Sequence, residues 1–242
     1  MTSNGVGIVC ALAAEARHLR SGTRRSEPLA PLADGTLLAV SGMGAAAAAL
    51  SARALIDAGA SALASFGFAG GLDPALKAGT IFLPALVVEA EGADGDGIET
   101  APIWRQRLAA ALLSHHPVVG GRLLYSPHVV ATVAQKAALF QARGAAAVDM
   151  ESLAVAQAAR ERRLPFLAVR VIIDGAADAL PAAIMDAADV AGHVQPWRLL
   201  AGLARSPADL AALIRLARRY RAASRSLAVV AGADAWATFA LP

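Results

Sequence analysis

The chain has 242 residues, 57% of them hydrophobic and 17% charged, with a formal net charge of +3. That length fits one large α/β domain with a sizeable core, and the single cysteine, Cys10, excludes an internal disulfide. The N-terminus lacks the cationic start and the cleavage site of a secretory signal, so a cytoplasmic setting is expected.

Val6–Cys10 opens the chain as a nearly continuous apolar run, the pattern of a strand covered on both faces, and Ala13–Arg20 follows as a helix. Gly35 to Ala52 carries no charge and approaches the length of a membrane span, but Ser41, Gly42, Gly44 and Ser51 interrupt it. It reads as a strand Leu37–Val40, a glycine turn and a helix Ala45–Ala58, with Gly59 as the helix stop. Ala62–Phe68 and Ile81–Val88 read as the next strands, and Glu91–Pro102, rich in Gly and Asp, as an exposed loop. Helix Ile103–His115, strand Gly121–Tyr125 and helices Thr132–Arg143 and Met150–Arg163 follow. Pro165 separates the last helix from strand Phe166–Ile173.

From Pro196 to about Ser226 the chain turns helical again, with Ser206-Pro207-Ala208-Asp209 as a helix start. This strand–helix rhythm predicts an α/β fold with a mixed, mainly parallel central sheet flanked by helices. It is expected as a single domain over 1–242, of which 196–242 form a helical C-terminal extension. Arg205, Arg215, Arg218, Arg219, Arg221 and Arg225 crowd that extension. They read either as a solvated helix face or as attraction to an anionic membrane surface. No aromatic stacking platform accompanies them, which argues against nucleic acid.

Ser41-Gly42-Met43-Gly44 follows a strand and opens a helix, so it loosely matches a dinucleotide fingerprint. Such a site needs an acid about 20 residues on to hold a ribose. Here the next strand ends in Phe66-Gly67-Phe68-Ala69-Gly70-Gly71 instead, which disfavours a nicotinamide oxidoreductase. The turn can still present backbone N–H groups to an anion, or it can simply let strand and helix approach closely. Glu15 and Glu151 each stand in a first helical turn, where the helix dipole alone favours an acid. Asp174 stands just past an apolar strand, where α/β sheets place their sites, and is favoured over Asp178 as the functional carboxylate. The five histidines form no metal-binding pattern; His128, in Tyr125-Ser126-Pro127-His128, is the one worth attention.

In order and spacing, several segments together resemble the purine nucleoside phosphorylase and uridine phosphorylase superfamily. They are Gly7-Ile8-Val9-Cys10-Ala11-Leu12-Ala13-Ala14-Glu15, Ser41-Gly42-Met43-Gly44, Gly67-Phe68-Ala69-Gly70-Gly71-Leu72, Lys77-Ala78-Gly79-Thr80, Val148-Asp149-Met150-Glu151 and Val169-Arg170-Val171-Ile172-Ile173-Asp174. The resemblance runs from Val6 to about Asp178 and is strongest to the nucleosidase branch, the methylthioadenosine/S-adenosylhomocysteine nucleosidases. It implies cleavage of the N-glycosidic bond of an adenine nucleoside. Glu15 would activate the attacking water, Met150 would pack on the ribose, Glu151 would accept bonds from the ribose hydroxyls, and Asp174 would protonate the purine at N7. Ser41, Gly42, Gly44, Phe68, Gly70 and His128 are carried as further substrate-binding residues.

The chain departs from that pattern where Phe68 and Ile173 replace serines and where Ser126-Pro127-His128 faces the purine. The site therefore reads as greasier than a methylthioadenosine site, and the chain resembles the hopanoid-associated nucleoside phosphorylases in length and in the N-terminal run from Gly7-Ile8-Val9-Cys10 through Leu12 to Glu15-Ala16, which implies adenosylhopane as substrate. It also implies a homo-oligomer, no cofactor and no metal, with phosphate as a co-substrate if the reaction is phosphorolysis. A methylthioadenosine/S-adenosylhomocysteine nucleosidase and an inactive purine- or lipid-binding regulator remain the alternatives. The presence of Glu15, Glu151 and Asp174 together argues against the inactive one.

Overall fold

A computed structural model describes residues 5–19, 29–32, 35–90, 97–113, 116–180 and 209–233. The longest strand, β4 (Ala60–Gly71), runs through the middle of the sheet between β1 (Gly5–Cys10) and β11 (Phe166–Asp174), and both neighbours lie parallel to it. Beyond β1 come β3 (Leu37–Val40), parallel, and β2 (Leu29–Pro31), antiparallel. The far end of β4 bends across to β10 (Ala147–Asp149), which leads to β9 (Arg122–Tyr125), β6 (Leu86–Glu89) and β7 (Gly97–Glu99). On its other edge β11 pairs with β5 (Ile81–Phe82), and β5 with β8 (Val118–Val119). All eleven described strands join one mixed, mainly parallel sheet.

Helices α2 (Ala45–Asp57) and α5 (Ser152–Glu161) cover one face of the sheet, and α3 (Pro102–Leu113) and α6 (Asp209–Ala231) cover the other. Among the described residues the two remaining helices, α1 (Ala13–Ala16) and α4 (Val133–Arg143), lie next to the cavity described below. Strand β11 shows why a continuous apolar run was needed. Phe166, Ala168 and Ile172 pack with Leu55 and Val155, while the alternate residues Leu167, Val169 and Val171 pack with Leu108 and Leu227. Arg170 falls on the α5 face and is the one charge inside that run.

The segment 35–52 divides as expected into β3, a glycine turn and the start of α2, and no described helix is long and apolar enough to cross a membrane. Three expectations change. Ile81–Val88 is two strands rather than one, because Pro84 between them has no N–H for the ladder; Leu83 N and Ala85 N bond instead to Val119 O and Gly121 O, each at 2.9 Å. The expected loop Glu91–Pro102 contains β7, paired with Leu86–Val88, although 91–96 lies outside the described residues. The first helix ends at Ala16, and Arg20 is likewise outside them. Of the C-terminal extension, residues 209–233 are described, with α6 starting at Asp209; the expected helix start at 206–208, like Arg205 and His193, is outside them.

Leu63, fully buried on β4, packs against the α2 face. Leu63→Ala should lower the unfolding free energy by about 2–5 kcal/mol, read by chemical denaturation.

Candidate active site

The carboxyl ends of β4 and β11, the turn after β1 and the start of α5 enclose a cavity of about 230 Å³. Glu15, Phe68, Gly70, His128, Met150, Glu151 and Asp174 all line it, with Met43 from the glycine turn. Most of the expected site residues therefore converge. Ser41, Gly42 and Gly44 do not line the cavity.

Glu15 serves two purposes. Its Oε2 accepts from Leu12 N at 2.8 Å and caps α1, as an acid in a first turn can. Its Oε1 accepts from Phe68 N at 2.9 Å, which fixes the carboxyl against the middle of β4. That approach requires a glycine next to Phe68, since a Cβ at Gly67 would overlap the Glu15 carboxyl group. Burial pushes the Glu15 pKa up, against the lowering effects of Arg170 and of the backbone donors.

Glu151 has no capping bond to its own helix, which begins one residue later. Its Oε1 accepts instead from Gly44 N at 2.7 Å, at the N-terminus of α2. The turn expected to offer N–H groups to a ligand thus offers one to a carboxylate of the same chain, 107 residues away. Gly44 has φ of 96°, a backbone that side chains avoid, so the glycine is what aims this N–H. Burial, with Asp149 adding to it, pushes the Glu151 pKa up to about 7.

Beneath Glu151 lies a buried polar cluster. Arg170 Nε donates to Asp149 Oδ2 at 2.8 Å, and its Nη2 donates to Ser65 Oγ at 2.6 Å and Ser152 Oγ at 2.9 Å. The Asp149 carboxylate also accepts from Ser152 N at 3.2 Å. Arg170 raises no charge imbalance in the apolar sheet because Asp149 pairs with it, and its field also reaches Glu15 and Glu151.

Asp174 is the last residue of β11, at a register shift opposite Gly70. It forms a buried ion pair with Lys136, which the sequence reading did not single out. Lys136 is the one buried residue of α4. Its Nζ donates to Asp174 Oδ2 and, at 2.8 Å each, to the carbonyls of Gly175 and Asp178. Burial pushes the Asp174 pKa up, and Lys136 opposes that rise. Asp178, the rejected neighbour, lies outside the cavity lining; its carboxylate accepts from Gly175 N at 3.0 Å and pairs with Arg219 of α6.

Lys136, Arg170, Asp149, Ser65 and Ser152 are thus the supporting residues that sequence reading missed. A lysine in a helix of otherwise unremarkable polarity carries no signal. A charge within the apolar run Phe166–Ile173 was the visible hint for Arg170. Phe68 forms part of the cavity wall, and its ring lies 5.7 Å from that of Tyr220 on α6, whose hydroxyl accepts from Arg17 at 2.7 Å.

A family model described as the phosphorylase superfamily matches residues 6–195. Among solved structures, the 5′-methylthioadenosine/S-adenosylhomocysteine nucleosidase of Helicobacter pylori is similar with a TM-score of 0.64 and 20% identity, over 73% of this chain and 88% of that one. Futalosine hydrolase of Helicobacter pylori is similar with a TM-score of 0.63 and 20% identity, over 72% and 86%. A nucleosidase of the first kind from Colwellia psychrerythraea, solved with adenine, gives 0.62 and 24%, over 72% and 84%. At these identities the likeness is one of fold. No curated protein matches the chain.

Two outcomes follow from this geometry. Gly67→Ala should displace Glu15 and abolish turnover while leaving far-UV circular dichroism unchanged. Glu151 has its pKa raised above 4.5 to about 7, so its neutral form supports the fold fully below pH 4.5, and that support is lost as pH rises to about 7. Glu151→Gln should remove up to roughly 3 kcal/mol of that pH dependence, measured by denaturation at pH 4.5 and 8.

Proposed function

The chain belongs to the phosphorylase superfamily, enzymes that act on nucleosides, and from this premise we propose that it cleaves the N-glycosidic bond of an adenine nucleoside and releases adenine. The observation that carries this reading is the convergence of three buried carboxyl groups, Glu15, Glu151 and Asp174, on one cavity. A purine leaves poorly as an anion. Asp174 gives its proton to N7 as the C1′–N9 bond breaks, and burial favours the protonated carboxyl this step needs. Positive charge then builds on the ribose, and the two glutamates stabilise it. Glu151 accepts hydrogen bonds from the ribose hydroxyls, and Met150 packs beside them. Glu15 takes the proton of the attacking nucleophile.

Water is the nucleophile in this reading. Among the described residues no lysine or arginine lines the cavity, and Arg170 nearby is committed to Asp149, Ser65 and Ser152. The walls supply the preference for substrate. Leu12, Phe68, Val129, Val130, Ile173 and Leu180 make an apolar lining, and Val129 is exposed to solvent. Such walls favour a nucleoside whose 5′ substituent is itself a hydrocarbon, as in adenosylhopane, over a small polar one. The same reading holds the chain to be one nucleoside phosphorylase-like domain that works without a cofactor in the cytoplasm, as a homo-oligomer in contact with an anionic membrane surface. Sedimentation with and without anionic vesicles measures the last two.

The deciding experiment is adenine release from methylthioadenosine and from detergent-dispersed adenosylhopane, each with and without phosphate. Adenine from adenosylhopane without phosphate is the expected result. A requirement for phosphate would replace water as nucleophile, release from methylthioadenosine alone would favour the small-substrate nucleosidase, and release from neither would sink the enzymatic reading. Asp174→Asn should lower kcat by about 10²–10⁴-fold with little change in KM, because the proton matters only as the bond breaks.

A further inference from the structure

We propose that Lys136 is a positioning residue for proton delivery: its ammonium fixes the Asp174 carboxyl and neutralises the negative charge left there when the proton passes to the departing base. The inference rests on the reading of Asp174 as the acid for N7. It concerns a residue on another element, 38 positions away in the chain.

A lysine with no exposed surface is rare, because an ammonium without partners is costly to bury. Here all three Nζ protons are used, by Asp174 Oδ2 and the carbonyls of Gly175 and Asp178. The two carbonyls hold the ammonium on the strand end whether or not Asp174 is ionised. Lys136 donates to Oδ2, so that oxygen is steered and the acidic proton belongs on Oδ1. The residue is otherwise out of place. The remainder of α4 is exposed or half-buried, and its N-terminus is fastened by Thr132, whose Oγ1 accepts from Gln135 N at 3.2 Å.

The Asp174 O–H bond breaks and an N7–H bond forms. The C1′–N9 bond breaks with its electron pair passing into the purine, and water adds to C1′ while its proton goes to Glu15. What remains is a carboxylate in an apolar cavity, which would be costly without a counter-charge. Lys136 is already in place to supply it, with no reorganisation at the moment of reaction. Without the lysine, Asp174 would hold its proton more tightly and give it up less readily. The other charged and titratable groups around the pair among the described residues are Asp178 beside it, Arg219 from α6 and, in the cavity, Glu15, Asp149, Glu151 and His128.

The test compares two leaving groups. Wild type, K136M, K136R, D174N and the K136M/D174N double variant are assayed on whichever adenine nucleoside is cleaved and on 4-nitrophenyl β-D-riboside, whose leaving group needs no proton. K136M should lower kcat for adenine release about 10²-fold, with KM little changed, and lower nitrophenol release far less. The alkaline limb of its kcat profile should move to higher pH, and K136R should recover part of the loss. The double variant should be no slower than D174N, since the lysine acts through the aspartate. It also keeps the test alive if K136M alone unfolds, because it is neutral at both positions. Equal losses on both substrates, an unmoved pH limb, or a double variant slower than D174N would overturn the proposal. If wild type releases adenine from no nucleoside, the functional reading fails and this inference fails with it, whereas normal adenine release by K136M would remove the inference alone.

Discussion

Four buried carboxyl groups, Glu15, Asp149, Glu151 and Asp174, line one apolar cavity, and they are the constraint around which this molecule is arranged. A buried carboxylate without donors or a counter-charge either costs several kcal/mol or takes up a proton. The chain meets the problem differently at each site. Glu15 receives two backbone N–H groups, from its own helix and from β4. Glu151 receives one N–H at the start of α2 and stays poised near neutrality. Asp149 and Asp174 each receive a full positive charge, from Arg170 and Lys136. Despite these compensations burial pushes Glu15, Glu151 and Asp174 up in pKa, Glu151 to about 7.

Two glycines, one in β4 and one in the turn before α2, make these compensations possible. Gly67 lets a carboxyl rest against the strand, and Gly44 turns an N–H toward Glu151. The Arg170 cluster sits below and joins β11, β10, α5 and β4 through one guanidinium. It lies on the α5 face of β11, so it braces Asp149, two residues from Glu151, from inside the core.

Much of this was legible in the sequence, and the failures have physical causes. The apolar runs marked β1, β3, β4 and β11, because strands covered on both faces leave a continuous signature. Asp174 was legible from its position at the end of such a run. The three-residue strands β2, β7 and β10 were invisible, since a run of that length carries no periodicity and exists only through its partners. The glycine turn was open in the sequence either as a place for an anion or as a turn that only lets strand and helix approach closely. Sequence could not say that the Gly44 N–H meets the Glu151 carboxyl group, because 107 residues separate the two. Lys136 was missed for the same reason. Its burial depends on where the end of β11 meets α4, and nothing within α4 announces it.

The C-terminal helix has a role in this arrangement beyond covering the sheet. Its inner side buries Ala223, Leu227 and Val230 and rests Tyr220 against Phe68, while Arg215, Arg218, Arg221 and Arg225 face outward. At 1.5 Å of rise per residue, Arg215 stands only about 8 Å along the axis from Tyr220. An anionic interface attracted to those guanidinium groups would therefore meet the protein near the greasy mouth of the cavity. Under the lipid-nucleoside proposal, this is the side from which a hydrocarbon tail would enter, with its far end still in the lipid.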